Sequence, residues 1–249
     1  EIKVDLEEIK QNPDQFKKAA EAITELVNQD KYTPYTKTVF RVIDFLKKPP
    51  SYPAEEILYW VDKLDQQFLS METHASQDGK TYASKREKWF STRCKALVEL
   101  GNYQECIDTG NTALAEFKNL QHDNDVWIKR NIARAKLALG ECDEALGLYQ
   151  EILPRKRDWF IHKEIGECHL ASGETEKAKQ KFIEAAISPG DLEFKWELFM
   201  LLGKLHKELG SLSEADDLVT LAMKIRNEKE WDIPEELQII AAVLNIKDS

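Results

Sequence analysis

The sequence predicts an all-α protein assembled from helix pairs stacked in a row. Three observations carry that expectation. Gly 10 and Pro 8 are few for 249 residues, against average usage of about 12% for the two together, so the many tight turns of a sandwich or barrel are not supplied. The β-branched runs that fill a buried parallel sheet are missing. A glycine-centred turn recurs four times, each time between two apolar patterns of helical period.

The elements follow in order. Asn12-Pro13-Asp14 reads as a helix start, with Phe16, Ala19, Ala20, Ile23, Leu26 and Val27 on one apolar face. Thr33-Pro34 opens a second helix carrying Val39, Phe40, Ile43, Phe45 and Leu46, and Lys48-Pro49-Pro50 stops it. Tyr52-Pro53 opens a third, with Ile57, Leu58, Trp60, Val61, Leu64 and Phe68. Residues 1–70 thus form an irregular helical region. Residues 70–81 hold Ser, Thr, Asp and Gly without apolar period, so 71–85 is expected to be a flexible linker.

Residues 86–230 carry the repeats. Their turns centre on Gly101, Gly140, Gly173 and Gly210, spaced 39, 33 and 37 residues apart. Each glycine suits the left-handed residue that ends a helix, and the polar residue after it suits the next helix start. Five residues beyond stand Cys106, Ala145, Ala178 and Ala215; seven before stand Cys94, Ala133, Gly166 and Gly203. Small residues at both places let two antiparallel helices approach closely. A last helix from Pro234, with Leu237, Ile239, Ile240, Val243 and Leu244, makes 231–249 a cap, because the terminal unit has no neighbour.

This pattern resembles the tetratricopeptide repeat family, whose unit is about 34 residues of helix–turn–helix. Ile165-Gly166, His169, Gly173, Ala178, Phe182 and Ala185 match it best, and Leu202-Gly203, His206, Gly210, Ala215 and Ala222 come next. In the first unit Gly110 stands where an aromatic residue is expected. The resemblance implies a right-handed helix-pair solenoid of four units with flanking helices, working as a protein–protein interaction scaffold or adaptor. The run His122-Asp123-Asn124-Asp125-Val126-Trp127, with Arg130 and Ala133, also resembles a bacterial tetratricopeptide group. Some members of that group carry a cold-shock-like domain after the repeats and are associated with defence or conflict systems. A nucleic-acid-associated accessory protein is therefore the first alternative.

Charge and chemistry narrow the choice. Lys plus Arg is 35 and Asp plus Glu 45, a net charge of −10, which argues against coating nucleic acid over the whole surface. The longest apolar stretches, 198–202 and 239–244, fall far short of the roughly 18 residues of a membrane span. With no leader pattern, a cytoplasmic location is expected, and Glu1 in place of Met suggests a trimmed piece of something longer. Cys94, Cys106, Cys142 and Cys168 form no CxxC pair, and the histidines His74, His122, His162, His169 and His206 show no metal-ligand spacing. No catalytic or phosphate-binding motif occurs. The expectation is a non-enzymatic chain with no metal and no cofactor; an enzyme with an unrecognisable site is the second alternative.

In the family, the first helix of each pair lines the inner groove. That register turns Lys88, Lys95, Arg130, Asn131, Arg134, Phe160 and Lys163 inward, against Glu99, Glu164, Glu167 and Glu197. Arg130, Asn131 and Arg134 share one helical face. Basic side chains beside an aromatic suit an extended or acidic peptide segment, more than a nucleic-acid backbone. The competing expectation pairs Arg130 and Arg134 with acids such as Asp125 and Glu164. Of the Lys/Asn/Arg clamp that family members place on a peptide's terminal carboxylate, Asn131 matches. Ser91, Phe160 and Glu164 depart from it.

Overall fold

A computed structural model describes residues 12–48, 52–75 and 79–246. The Pro49-Pro50 stop, residues 1–11 and 247–249, and 76–78 of the expected linker lie outside the described residues. The chain divides into two units, one ending at Leu139 and one beginning at Gly140.

The first unit holds α1 (Pro13–Leu26), α2 (Tyr35–Leu46), α3 (Ala54–Asp62), α4 (Lys85–Glu99), α5 (Tyr103–Glu116) and α6 (Asn124–Ala138). Proline at the first turn starts α1, where a missing N–H costs nothing. α1 packs on α2, α2 on α3, and α3 on α4, while α4, α5 and α6 pack mutually. The flanking helices are thereby joined to the repeat. Trp89 Nε1 donates to Val61 O at 3.0 Å, and Arg93 reaches Asp62 (2.8 Å), Thr109 Oγ1 (2.6 Å) and Glu105.

Two expectations change in this unit. The face expected of α1 is partly covered: Ala20 is buried and Phe16, Ile23 and Val27 are half-buried, but Ala19 is exposed and Leu26 is 83% exposed, because α1 packs mainly on α2. α3 ends at Asp62, and a 3-10 turn at Gln66–Phe68, capped by Asp65, turns Phe68 out and Leu69 in. The linker also carries structure. His74–Ala75 (β1) pairs antiparallel with Thr81–Tyr82 (β2), and His122 Nε2 bonds Thr81 O at 2.8 Å.

The second unit holds α7 (Cys142–Ile152), α8 (Trp159–Ala171), α9 (Thr175–Ile187), α10 (Trp196–Glu208), α11 (Leu212–Glu228) and α12 (Glu235–Val243). α8 packs on α9 and α10 on α11 as antiparallel pairs, with α12 closing against α11. Leu237, Ile240 and Ala241 face the core; Ile239 and Val243, expected there, are 58% and 53% exposed. The buried set follows i, i+3, i+4, and only one side of α12 meets a neighbour.

The small positions behave as the repeat register requires. Cys94, Cys106, Ala133, Ala145, Ala178 and Ala215 are fully buried. A Cβ on Gly166 would stand 2.5 Å from the Phe182 ring, and one on Gly203 2.6 Å from Val219 Cγ2. Gly110 replaces an aromatic because Ile132 of α6 occupies that space, 2.7 Å from where its Cβ would be. The four turn glycines have φ between +74° and +84°. At Gly173 the Glu174 N–H bonds His169 O (2.8 Å) and the Gly173 N–H bonds Leu170 O (3.0 Å), closing the helix end. Both units are all-α helix pairs with flanking helices, and strand among the described residues is confined to the small ribbon.

Candidate functional site

Five of the seven groove residues lie in the first unit. Lys88 and Lys95 stand on α4; Arg130, Asn131 and Arg134 stand on α6, which packs against it. Asn131 is buried and the arginines are half-buried. Arg134 Nη1 donates to Glu99 Oε1 of α4 at 2.9 Å. Lys88 Nζ lies 2.7 Å from Asp44 Oδ1 and 4.9 Å from the centre of the Phe40 ring. Lys95 Nζ sits 4.1 Å over the Tyr52 ring, a cation–π contact. Partial burial first, then Arg130 and Arg134, hold the Lys95 ammonium below the usual lysine range, against the pull of Glu99. Both arginines thus lie within electrostatic reach of Lys95.

The flanking helix adds a residue that the repeat register could not supply. Lys47, at the end of α2, donates from Nζ to Thr92 Oγ1 at 2.6 Å. Burial first, then Lys88 and Lys95, push its pKa down to about 8, with Asp44 opposing. In sequence, Lys47 reads only as the neighbour of a proline stop. Thr92 is buried and lies one helical turn from Lys88 and Lys95. Tyr52, just before α3, completes the surround, and among the described residues its hydroxyl has no hydrogen-bond partner.

The remaining two groove residues lie in the second unit. Lys163 Nζ is 2.9 Å from Glu167 Oε1 and 2.9 Å from Glu197 Oε2. Burial works against its charge, but Glu167 and Glu197 raise its pKa above the ordinary lysine value. Burial first, with Glu197 and Glu164, raises that of Glu167 against Lys163. Phe160 is half-buried, its ring 5.9 Å from that of Trp159 in an edge contact.

The run at residues 122–127 has a structural job. Glu87, buried on α4, accepts from Gln121 N (2.6 Å) and Asn124 Nδ2 (2.8 Å), fixing the start of α6. His122 and Asp123 take left-handed backbone there, and Tyr82 tilts against the His122 ring. His169 Nδ1 bonds Glu174 Oε2 at 2.6 Å across its turn. The four cysteines are free thiols, and burial first pushes Cys168 up to about 12. Among the described residues no group of three or more His, Cys, Asp or Glu is placed to hold a metal ion. No helix among them is long and apolar enough to cross a membrane.

Comparison with known proteins bears on this geometry. Residues 89–158 match the tetratricopeptide repeat family, and residues 126–245 match a domain of unknown function (DUF7017). The helix-pair fold is that of tetratricopeptide repeats. A thermophilic tetratricopeptide repeat protein of Thermus thermophilus, TTC0263, is 14% identical, with a TM-score of 0.58 over 85% of this chain and 100% of its own. MamA of Desulfovibrio magneticus RS-1 is 14% identical, with a TM-score of 0.56 over 78% of this chain and 97% of its own. PlcR of Bacillus thuringiensis, solved with the peptide PapR7 and DNA, is 14% identical, with a TM-score of 0.55 over 87% of this chain and 76% of its own. The search of curated proteins returned no match.

Proposed function

We propose that this chain is a non-enzymatic interaction scaffold, and that α4 and α6 hold an extended segment of a protein partner through its acidic groups. The observation that carries the proposal is the placement of Lys88 and Lys95 on α4 and of Arg130, Asn131 and Arg134 on α6, the helix packed against it. A face rich in basic side chains attracts an acidic segment. The buried Asn131 between the arginines offers an amide suited to a peptide backbone. The peptide-bound state of PlcR supports the reading by likeness of fold. In the second unit Lys163 is already held by two carboxylates, so the proposal gives the anionic contacts to the first unit alone.

Fluorescence anisotropy with labelled acidic, neutral and basic peptides tests this. The acidic peptide binds the native chain, and Arg130→Glu with Arg134→Glu abolishes binding. The thermal midpoint stays nearly unchanged, because an exposed pair such as Arg134–Glu99 contributes about 0–1 kcal/mol. Undiminished binding by the folded double variant would overturn the proposal. A salt-dependent shift with RNA or DNA, and none with peptide, would favour the nucleic-acid-associated alternative.

A further inference from the structure

Three lysines from two elements converge where the flanking helices meet the first repeat helix. Lys88 is neutralised by Asp44. Lys95 lies on Tyr52, with Glu99 one turn along α4. Lys47 differs from both: among the described residues its ammonium bonds the neutral hydroxyl of Thr92. The charges that act on it are Lys88, Lys95 and Asp44, two repulsive and one attractive. A half-buried cation so placed is unfavourable, and its depressed pKa of about 8 records that cost.

We propose that Lys47, Lys88 and Lys95 form a subsite for a single oxyanion, a phosphoryl or carboxylate group, borne by the bound peptide segment. This rests on the groove proposal above and extends it to the flanking helix. Lys47 already gives one N–H to Thr92 and Lys88 is engaged by Asp44, and the donors left on the three ammonium groups can reach one oxyanion together. The Tyr52 hydroxyl, without a hydrogen-bond partner among the described residues, is a further donor on the ring that Lys95 covers. A phosphoryl group fits best, because it brings about two negative charges and three acceptor oxygens. The chain's net charge of −10 argues for a short peptide-borne anion over a polyanion.

Binding of the anion is coupled to proton uptake. In the empty site Lys47 is half deprotonated near pH 8, and an adjacent anion raises its pKa toward the ordinary lysine range. Affinity is therefore full well below pH 8 and falls as pH rises through it, up to about tenfold weaker at pH 9 than at pH 7. Phosphate's own second ionisation, near 6, is complete across that window.

The test compares one peptide sequence carrying phosphoserine, glutamate or serine at a single position, by anisotropy at pH 7 and pH 9. The phosphoserine peptide binds most tightly and loses up to about tenfold at pH 9. If the glutamate peptide binds as well or better, the group is a carboxylate. Lys47→Met weakens the anionic peptides about tenfold at pH 7 and flattens their pH dependence. Lys47→Arg keeps the pH 7 affinity and also flattens the profile, since arginine stays charged. A Lys47→Met variant that binds like the native chain, or keeps its pH dependence, overturns the subsite. If that variant is unaffected while Arg130→Glu with Arg134→Glu abolishes binding, the groove proposal stands alone. Should none of the peptides bind, the groove proposal fails, and the subsite is judged by whether inorganic phosphate protects Lys47 from an amine-reactive reagent at pH 8. A single-stranded oligonucleotide that displaces the phosphoserine peptide would overturn the peptide assignment.

Discussion

Two glycines of the second unit allow one chemical change to be tested with opposite outcomes. Gly166 lies inside α8, where an added Cβ would stand 2.5 Å from Phe182 Cδ1 and Cε1 and 3.3 Å from the Ala178 carbonyl oxygen. Carbon atoms rest at about 3.5–4.0 Å, so the methyl is short of room by about 1 Å. Phe182 is fully buried, in a cluster with Ala178, Ala185, Leu198, Leu202 and Leu205, so its ring has nowhere to retreat. Overpacking costs about 1–3 kcal/mol, while alanine in place of glycine in a helix returns about 1 kcal/mol. With both a ring and a backbone oxygen in the way, Gly166→Ala should lose about 1–2 kcal/mol net. That lowers the thermal midpoint by about 2–8 °C for a chain of this size. Gly147, in α7, meets nothing within 4 Å of its would-be Cβ. There the propensity gain stands alone, and Gly147→Ala should raise the midpoint by about 2–4 °C. Thermal and urea unfolding followed by circular dichroism measure both. Adding Phe182→Leu to Gly166→Ala should recover part of the loss, a coupling of about 0.5–3 kcal/mol. Shifts of the same sign for the two alanines would refute the helix-contact argument.

Ala178→Leu should cost about 1–3 kcal/mol by the same crowding, and Ser172→Leu, on the exposed turn, clearly less; equal losses in urea titrations would put the repeat register in error. Glu230 closes α11 at φ 54°, with the Trp231 N–H bonding Arg226 O at 3.0 Å. Glu230→Gly should thus gain about 1 kcal/mol by removing a left-handed side chain. Because the folded pKa of Lys47 is depressed to about 8, the unfolded chain binds that proton more tightly, and stability rises with pH from about 8 toward the ordinary lysine range. Urea titrations at pH 7, 8.5 and 10 should show this rise in the native chain and a smaller one in Lys47→Met. Trp89→Phe removes the bond to Val61 O and should cost about 1–3 kcal/mol, read as a lower urea midpoint.

Much of the fold was legible because a repeat states its contacts several times over. The paired small residues, such as Gly166 facing Phe182 and Cys94 facing Cys106, sit at fixed distances from a turn glycine, so each register checks the next. The irregular helices lack that redundancy. Periodicity assigns α12 five apolar positions, but only the side turned to α11 is covered, which leaves Ile239 and Val243 outside. The β1–β2 ribbon, two residues per strand, is too short to leave a period in the sequence. For the candidate site, the register brought Lys88, Lys95, Arg130, Asn131 and Arg134 to the same pair of helices. It did not supply Asp44, Lys47 or Tyr52, because α2 and the start of α3 follow no repeat. Glu99 is one carboxylate on Arg134, an acid the register already placed on the inner face.

Within each unit, the helices that touch are almost all consecutive in the chain: α1 with α2, α2 with α3, α3 with α4, α8 with α9, α10 with α11 and α11 with α12. Synthesis runs at about 5–20 residues per second, so each helix of 9 to 17 residues leaves the ribosome within a few seconds. Its partner has by then already emerged. No apolar face need wait for a distant segment, and loop closures stay short. The chain can therefore assemble from its amino-terminal side in the order it is made, with little time in which a half-built core is open to aggregation.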